Sequence, residues 1–97
     1  MEIKIYGDHI KVTPAIEEYI KNKFSSIPQP EKLNKVEFKI GVEKGMQYIH
    51  FDTHVLQKDL HIEAKDPDLY AAIDSITDKI RKSIIKLKET KKSHLRP

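Results

Sequence analysis

Four stretches of the chain alternate apolar and polar residues, and two others repeat apolar residues every three to four positions. Residues 2–6 put Ile3 and Ile5 on one side and Glu2, Lys4 and Tyr6 on the other, with Gly7 as a stop. In residues 35–44, Val36, Phe38, Ile40 and Val42 oppose Lys35, Glu37, Lys39 and Glu43. Residues 48–56 turn Ile49, Phe51, Thr53 and Val55 inward, and residues 60–65 do the same with Leu60, Ile62 and Ala64. A period of two means a strand with one buried and one wet face.

The helical stretches carry their own boundary signals. Thr13 caps the first and Pro14 takes its first position, where no amide donor is needed. Ile16, Tyr19, Ile20, Phe24 and Ile27 form its stripe, and Pro28 and Pro30 end it, leaving a loop over residues 28–34. The second spans residues 66–92, with Asp66 or Asp68 as cap and Pro67 in the first turn. Its stripe is Leu69, Ile73, Ile76, Ile80, Ile84 and Leu87.

The order is β-α-β-β-β-α, which predicts an α+β, two-layer sandwich: a four-stranded sheet with both helices on one face. A right-handed crossover makes the first two strands parallel. Turns at Lys44-Gly45 and Gln57-Lys58-Asp59 make the later pairs antiparallel. The expected core is Ile3, Ile5, Ile16, Ile20, Phe24, Val36, Phe38, Ile40, Phe51, Val55, Ile62, Ile73, Ile76, Ile80 and Ile84. Residues 1–92 form one domain, and residues 93–97, without an apolar period, form a loose tail.

Charge changes the picture more than composition does. The formal net charge is +3, yet residues 79–97 hold eight Lys/Arg and one Glu, net +7, while residues 1–78 hold ten Lys/Arg and fourteen Asp/Glu, net −4. Lys79, Lys82 and Lys86 line one flank of the second stripe, and Arg81, Lys88 and Lys92 the other. This asymmetry points to a localised polyanion contact. A solvated helix end is the plain alternative.

Other chemistry has little support. The chain has no cysteine, no Gly-rich phosphate loop and no nucleophile or H-E-x-x-H motif, so neither an enzyme nor a small-molecule substrate is expected. His50, Asp52 and His54 share the wet face of the third strand with His61 of the fourth. Positions i and i+4 on a strand stand about 13 Å apart, too far to share an ion. Only a cross-strand set such as His54, His61 and a carboxylate could close a site. Exposed polar residues are the simpler account, and neither metal nor cofactor is expected. No apolar run approaches the roughly 20 residues of a membrane helix, and residues 1–7 read as a strand, not a signal peptide. A cytoplasmic protein without a membrane partner is expected.

For RNA, the element order excludes the RNA-recognition motif, and Tyr6 and Tyr48 on the open face lack the aromatic cluster that motif uses. The α-β-β-β-α part from Thr13 to Lys92 follows the double-stranded-RNA-binding layout, which reads phosphates and groove shape.

More specific is the run Asp68-Leu69-Tyr70-Ala71-Ala72-Ile73-Asp74, followed by Asp78-Lys79-Ile80 and Lys86-x-Lys88. With Ile3-x-Ile5-x-Gly7, Val12-Thr13-Pro14-Ala15-Ile16 and Lys23-Phe24, it resembles the bacterial ribosome hibernation-promoting factors, the family of protein Y. The likeness covers about residues 2–92. It implies a non-enzymatic factor that binds the small ribosomal subunit and its ribosomal RNA, in the channel for messenger and transfer RNA near the decoding region. Such factors block initiation and protect idle ribosomes under stress and in stationary phase.

Carried over by position, the rRNA-binding residues are Lys23, Lys79, Lys82, Lys86 and Lys88. Arg81 and Lys92, on the other flank, complete the expected set. Lys82 stands where relatives commonly have Arg, which replaces a two-pronged phosphate contact by a point charge. Glu17 and Ser26 occupy positions where some relatives are basic. The acidic tail of protein Y is absent, as is the second domain with which long factors pair ribosomes. A short-form factor, the N-terminal domain of a long one, and a generic double-stranded-RNA-binding module all stay open, and the chain alone is expected not to pair ribosomes.

Overall fold

The computed structural model describes residues 2–28, 33, 35–55 and 58–93, with the backbone alone for Val55 and for residues 87–93. The elements are β1 (Glu2–Gly7), α1 (Pro14–Ser25), β2 (Lys35–Glu43), β3 (Met46–Val55), β4 (Lys58–Asp66) and α2 (Leu69–Ser93). The sheet order is β1-β2-β3-β4, with β1 parallel to β2 and the other two pairs antiparallel. This is the expected α+β arrangement.

Local chemistry explains the boundaries. Thr13 Oγ1 accepts from the Ile16 amide at 3.2 Å, and Pro14 is the first residue of α1. The helix stops at Ser25, short of Ile27, because the Ser26 amide folds back on Lys23 and Phe24; Ile27 is nonetheless buried. At α2 the two candidate caps divide the work. Asp68 accepts from the Tyr70 amide with its side chain and from Ala72 with its carbonyl, so it is the cap. Asp66 receives the Asp68 amide at 2.9 Å and steadies the approach. Pro67 therefore precedes the helix instead of lying in its first turn.

Both hairpins pair closer to their turns than alternation indicated. Lys44 (φ 52°) and Gly45 (φ 78°) form a two-residue loop with both φ positive, closed by the Glu43–Met46 pair. Such loops match the right-handed twist of the strands, so β3 begins at Met46, not Tyr48. Lys58 and Asp59, expected in a turn, pair with Val55 and His54 and belong to β4. The Gln57 part of that turn lies outside the described residues, as do residues 29–32 and 34 of the proline-rich loop and the tail from residue 94. Ser93, read as tail, is the last residue of α2.

The core lies between the sheet and the two helices. Ile16, Ile20 and Phe24 of α1 and Ala72, Ile73, Ile76, Ile80 and Ile84 of α2 cover Val36, Phe38, Ile40, Ile49, Phe51, Ile62 and Ala64. Phe24, Phe38 and Phe51 form its aromatic centre, with ring centroids 5.2–5.9 Å apart. Ile3 and Ile5, on the edge strand, are only half-buried against it, whereas Leu33, assigned to a loop, is buried. Val42 has inward parity but is 49% exposed, because the helices leave the hairpin end of the sheet uncovered. The Val55 and Leu87 side chains, both expected inside, lie outside the described residues. The buried hydroxyls are paired, Thr53 with the Lys35 carbonyl and Thr77 with the Ile73 carbonyl. Among the described residues, no helix is long and apolar enough to cross a membrane.

Candidate nucleic-acid interface

The inward stripe of α2 fixes where its cations go. The two flanks that the sequence assigns to this helix face different neighbours. On the flank toward β4, Lys79 Nζ donates to the Glu63 carbonyl at 2.9 Å and so straddles the edge of the sheet. Lys82 and Lys86 follow at helical spacing and are exposed. On the flank toward α1, Arg81 reaches Ser26 Oγ at 3.5 Å, across the groove between the helices. Asp78 stands between the flanks, 3.5 Å from Arg81 Nη1 through one oxygen and 3.1 Å from Lys82 Nζ through the other.

Lys23 joins the groove, not the Lys79–Lys82–Lys86 row. Its ammonium is 3.3 Å from Asp74 Oδ1 and 5.7 Å from the Tyr19 ring centroid. Tyr19 donates its hydroxyl to the same Asp74 oxygen at 2.6 Å and meets Tyr70 edge-on at 4.8 Å. The Tyr19 hydrogen bond, assisted by Lys23, holds the Asp74 carboxyl below the usual carboxylate range, and the same bond raises the Tyr19 phenol. Lys23 is therefore positioned by an acid and an aromatic ring, beyond the lying of its stem on apolar surface. The side chains of Lys88 and Lys92 lie outside the described residues, although the backbone of α2 runs through both positions.

Four residues that position the cations were not singled out as interface by sequence: Tyr19, Tyr70, Asp74 and Ser26. Tyr70 and Asp74 stand in the motif run, so a signal existed. Tyr19 was assigned to the apolar stripe, and its hydroxyl emerges at the stripe's edge. The arrangement as a whole is a helix layer with cations on two tracks, one along the interhelical groove and one along the β4 edge. Lys23, Lys79, Arg81 and Lys82 are held by acids or a carbonyl that a phosphate oxygen can displace.

On the opposite face of the sheet the histidines group differently from the cross-strand set considered above. His54 pairs with Asp59 at 2.9 Å, and His61 pairs with Asp52 at 2.5 Å, so His54 and His61 do not share a site. His50 is the histidine that meets His61, with ring centroids 5.3 Å apart.

The fold and the basic helix layer define a class: small α+β proteins whose helices carry a cationic surface. The particular family follows from comparison with known proteins. Residues 3–92 match the model of the Sigma 54 modulation protein / S30EA ribosomal protein family, and this chain belongs to that family. It is 34% identical over 95 residues to the ribosome hibernation promoting factor of Klebsiella oxytoca and 32% identical over 95 residues to that of Escherichia coli K12. Each alignment covers 97% of this chain and all of the relative. Among solved structures, a ribosomal subunit interface protein from Coxiella burnetii has the same fold, with a TM-score of 0.85 at 20% identity over 92% of this chain and 99% of that one. The N-terminal domain of Thermus thermophilus Protein Y gives 0.78 at 21% identity, over 90% and 99%.

Proposed function

We propose that this chain is a ribosome hibernation factor. It binds the small ribosomal subunit through ribosomal RNA in the channel for messenger and transfer RNA, near the decoding region. There it blocks initiation and preserves idle ribosomes in the cytoplasm under stress. The observation that carries the reading is the end-to-end match to proteins named ribosome hibernation promoting factor. The factor works by occupancy and makes or breaks no bond. Residues 1–92 are the binding domain, and Lys23, Lys79, Arg81, Lys82, Lys86, Lys88 and Lys92 are its rRNA contacts.

The two cationic tracks supply the physical means. Neutralising phosphates releases counterions, so affinity falls with salt at a slope of about −0.9 per contact on a duplex. With three to five contacts, a fourfold rise in salt weakens binding about 40- to 500-fold. The changes Lys79→Glu, Lys82→Glu and Lys86→Glu together are expected to abolish small-subunit binding while the circular dichroism spectrum stays near wild type, since all three side chains are exposed. A plain RNA duplex is the control. A factor shaped for a channel prefers the assembled subunit, and a general double-stranded-RNA binder takes both alike. A triple variant that folds and binds subunits like the parent would refute the reading.

A further inference from the structure

The open face of the sheet holds a cluster that the basic helix layer does not use. In the β3–β4 register, His50 stands opposite Glu63 and Asp52 opposite His61. Residues two apart on a strand share a face, and opposite residues lie about 5 Å apart at Cβ, so these four side chains form a compact block. His50, His61 and Glu63 each bring one ligand atom within 4.8 Å of the other two. His61 Nε2 is 2.8 Å from Glu63 Oε2, and His50 Nε2 is 3.9 Å from Glu63 Oε1.

We propose that His50, His61 and Glu63 form a divalent transition-metal site, of the zinc class, on the open face of the sheet. Ligand atoms at zinc bond lengths of about 2.0–2.2 Å in a tetrahedron stand roughly 3.3–3.6 Å apart. The separations here bracket that value, and rotations of the half-exposed Glu63 and His61 close the difference. The fourth position faces solvent and takes water.

Two features set the imidazoles for this role. Asp52 Oδ1 lies 2.5 Å from His61 Nδ1 and Glu63 Oε2 lies 2.8 Å from its Nε2, so an ion takes the place of the proton between Nε2 and Glu63 while Asp52 keeps the one on Nδ1. A carboxylate on the far nitrogen is the usual outer partner of a metal-bound histidine; it orients the ring and raises its basicity. His50 is held between the Tyr48 ring, 4.8 Å away, and the His61 ring. Tyr48 is itself fixed by a 2.6 Å hydrogen bond to Asp8.

The donor set selects among cations. Two nitrogens and one carboxylate suit zinc, cobalt, nickel or copper, whereas magnesium and calcium require six or more oxygens. Lys39 and Lys65 face the same side, opposite His50 and Tyr48 respectively, and offset Asp52 and Glu63 in local charge. Affinity therefore comes from ligation, not from a general negative field. The ion would tie β3 to β4 across the sheet, away from the helices.

The test is a titration of tag-free full-length protein with cobalt(II), read by visible absorption, and with zinc, read by calorimetry. One ion per chain, with the intense absorption of four-coordinate cobalt, is expected. His50→Gln and His61→Gln should each abolish that signal, while His54→Gln, outside the cluster, should keep it. Asp52→Asn should retain one ion but bind it about 10- to 100-fold more weakly. Excess magnesium should not compete. Circular dichroism of each variant separates lost ligation from lost fold. Absence of saturable binding by the parent, or binding that survives in a folded His50→Gln, His61→Gln double variant, would overturn the proposal.

Discussion

The two faces of the sheet are built from the same strands by different physics. On the inner face Val36, Phe38, Ile40, Ile49, Phe51 and Ile62 are held by helices that remove them from water. That contact is non-directional, and its strength follows area and fit. On the outer face none of the described elements covers the strands, and order comes from directional contacts between particular neighbours. Tyr48 lies over Gly41, its cross-strand partner, where any side chain on residue 41 would collide with the ring. Its hydroxyl then reaches Asp8, and the ring is only 7% exposed although its strand position is outward. The inner face tolerates exchanges of similar volume. The outer face depends on which residue sits opposite which.

The inner face is the more easily disrupted of the two. Ile80→Ala is expected to cost about 2–5 kcal/mol, since the side chain is fully buried and the cavity cannot fill with water. Urea denaturation measures it; a loss below about half a kcal/mol would mean that the stripe of α2 does not carry the core. A smaller loss, about 1–3 kcal/mol, is expected of Gly41→Ala, because the added methyl meets the Tyr48 ring and must displace it. Thermal denaturation with tyrosine fluorescence follows both the loss and the movement. Stability equal to the parent would show that the outer face is as forgiving as the inner.

The smallest change sharpens the contrast through pH. The hydrogen bond to Asp8 pushes the Tyr48 phenol up to about 12 from its ordinary 10.0, and it holds the Asp8 carboxyl below its ordinary 3.8. The raised phenol contributes stability that is complete below pH 10 and lost as pH climbs through 12. The depressed carboxyl contributes stability present above about pH 4 and lost as pH falls through its lowered value. Tyr48→Phe keeps the ring over Gly41 and removes the bond. The parent should exceed this variant in stability between those limits, and the difference should fade on both sides. Denaturation midpoints at pH 2.5, 7 and 12 measure it, and a difference independent of pH would assign the effect to packing.

Much of this molecule was legible from local pattern. Thr13 and Pro14 mark the start of α1 because capping needs only a side-chain oxygen and a vacant amide within one turn. The inward positions of the strands followed from parity, and the stripe of α2 from its period. Less legible were the contacts that give the candidate sites their form. In sequence Lys23 is only one of the expected rRNA-binding cations; the packing of α1 on α2 puts it beside Asp74 and on the Arg81 side. Tyr48 reads as an exposed aromatic until the β2–β3 register sets it over Gly41.

The sequence by itself determined the order of elements, the cap of α1, the apolar faces and the basic second half of α2. Each is encoded within a few residues, by a period of 2 or 3.6 or by a side chain that reaches its own backbone. Tertiary structure alone decided the register of β3 on β4 and the side of α2 that meets α1. A slip of two residues between strands keeps every side chain on its face, so alternation cannot choose among His50, Asp52 and His54 as the residue opposite His61. That choice falls to the packing of Phe51, Ile62 and their neighbours under the helices, and it fixes what the histidines on the other face can hold.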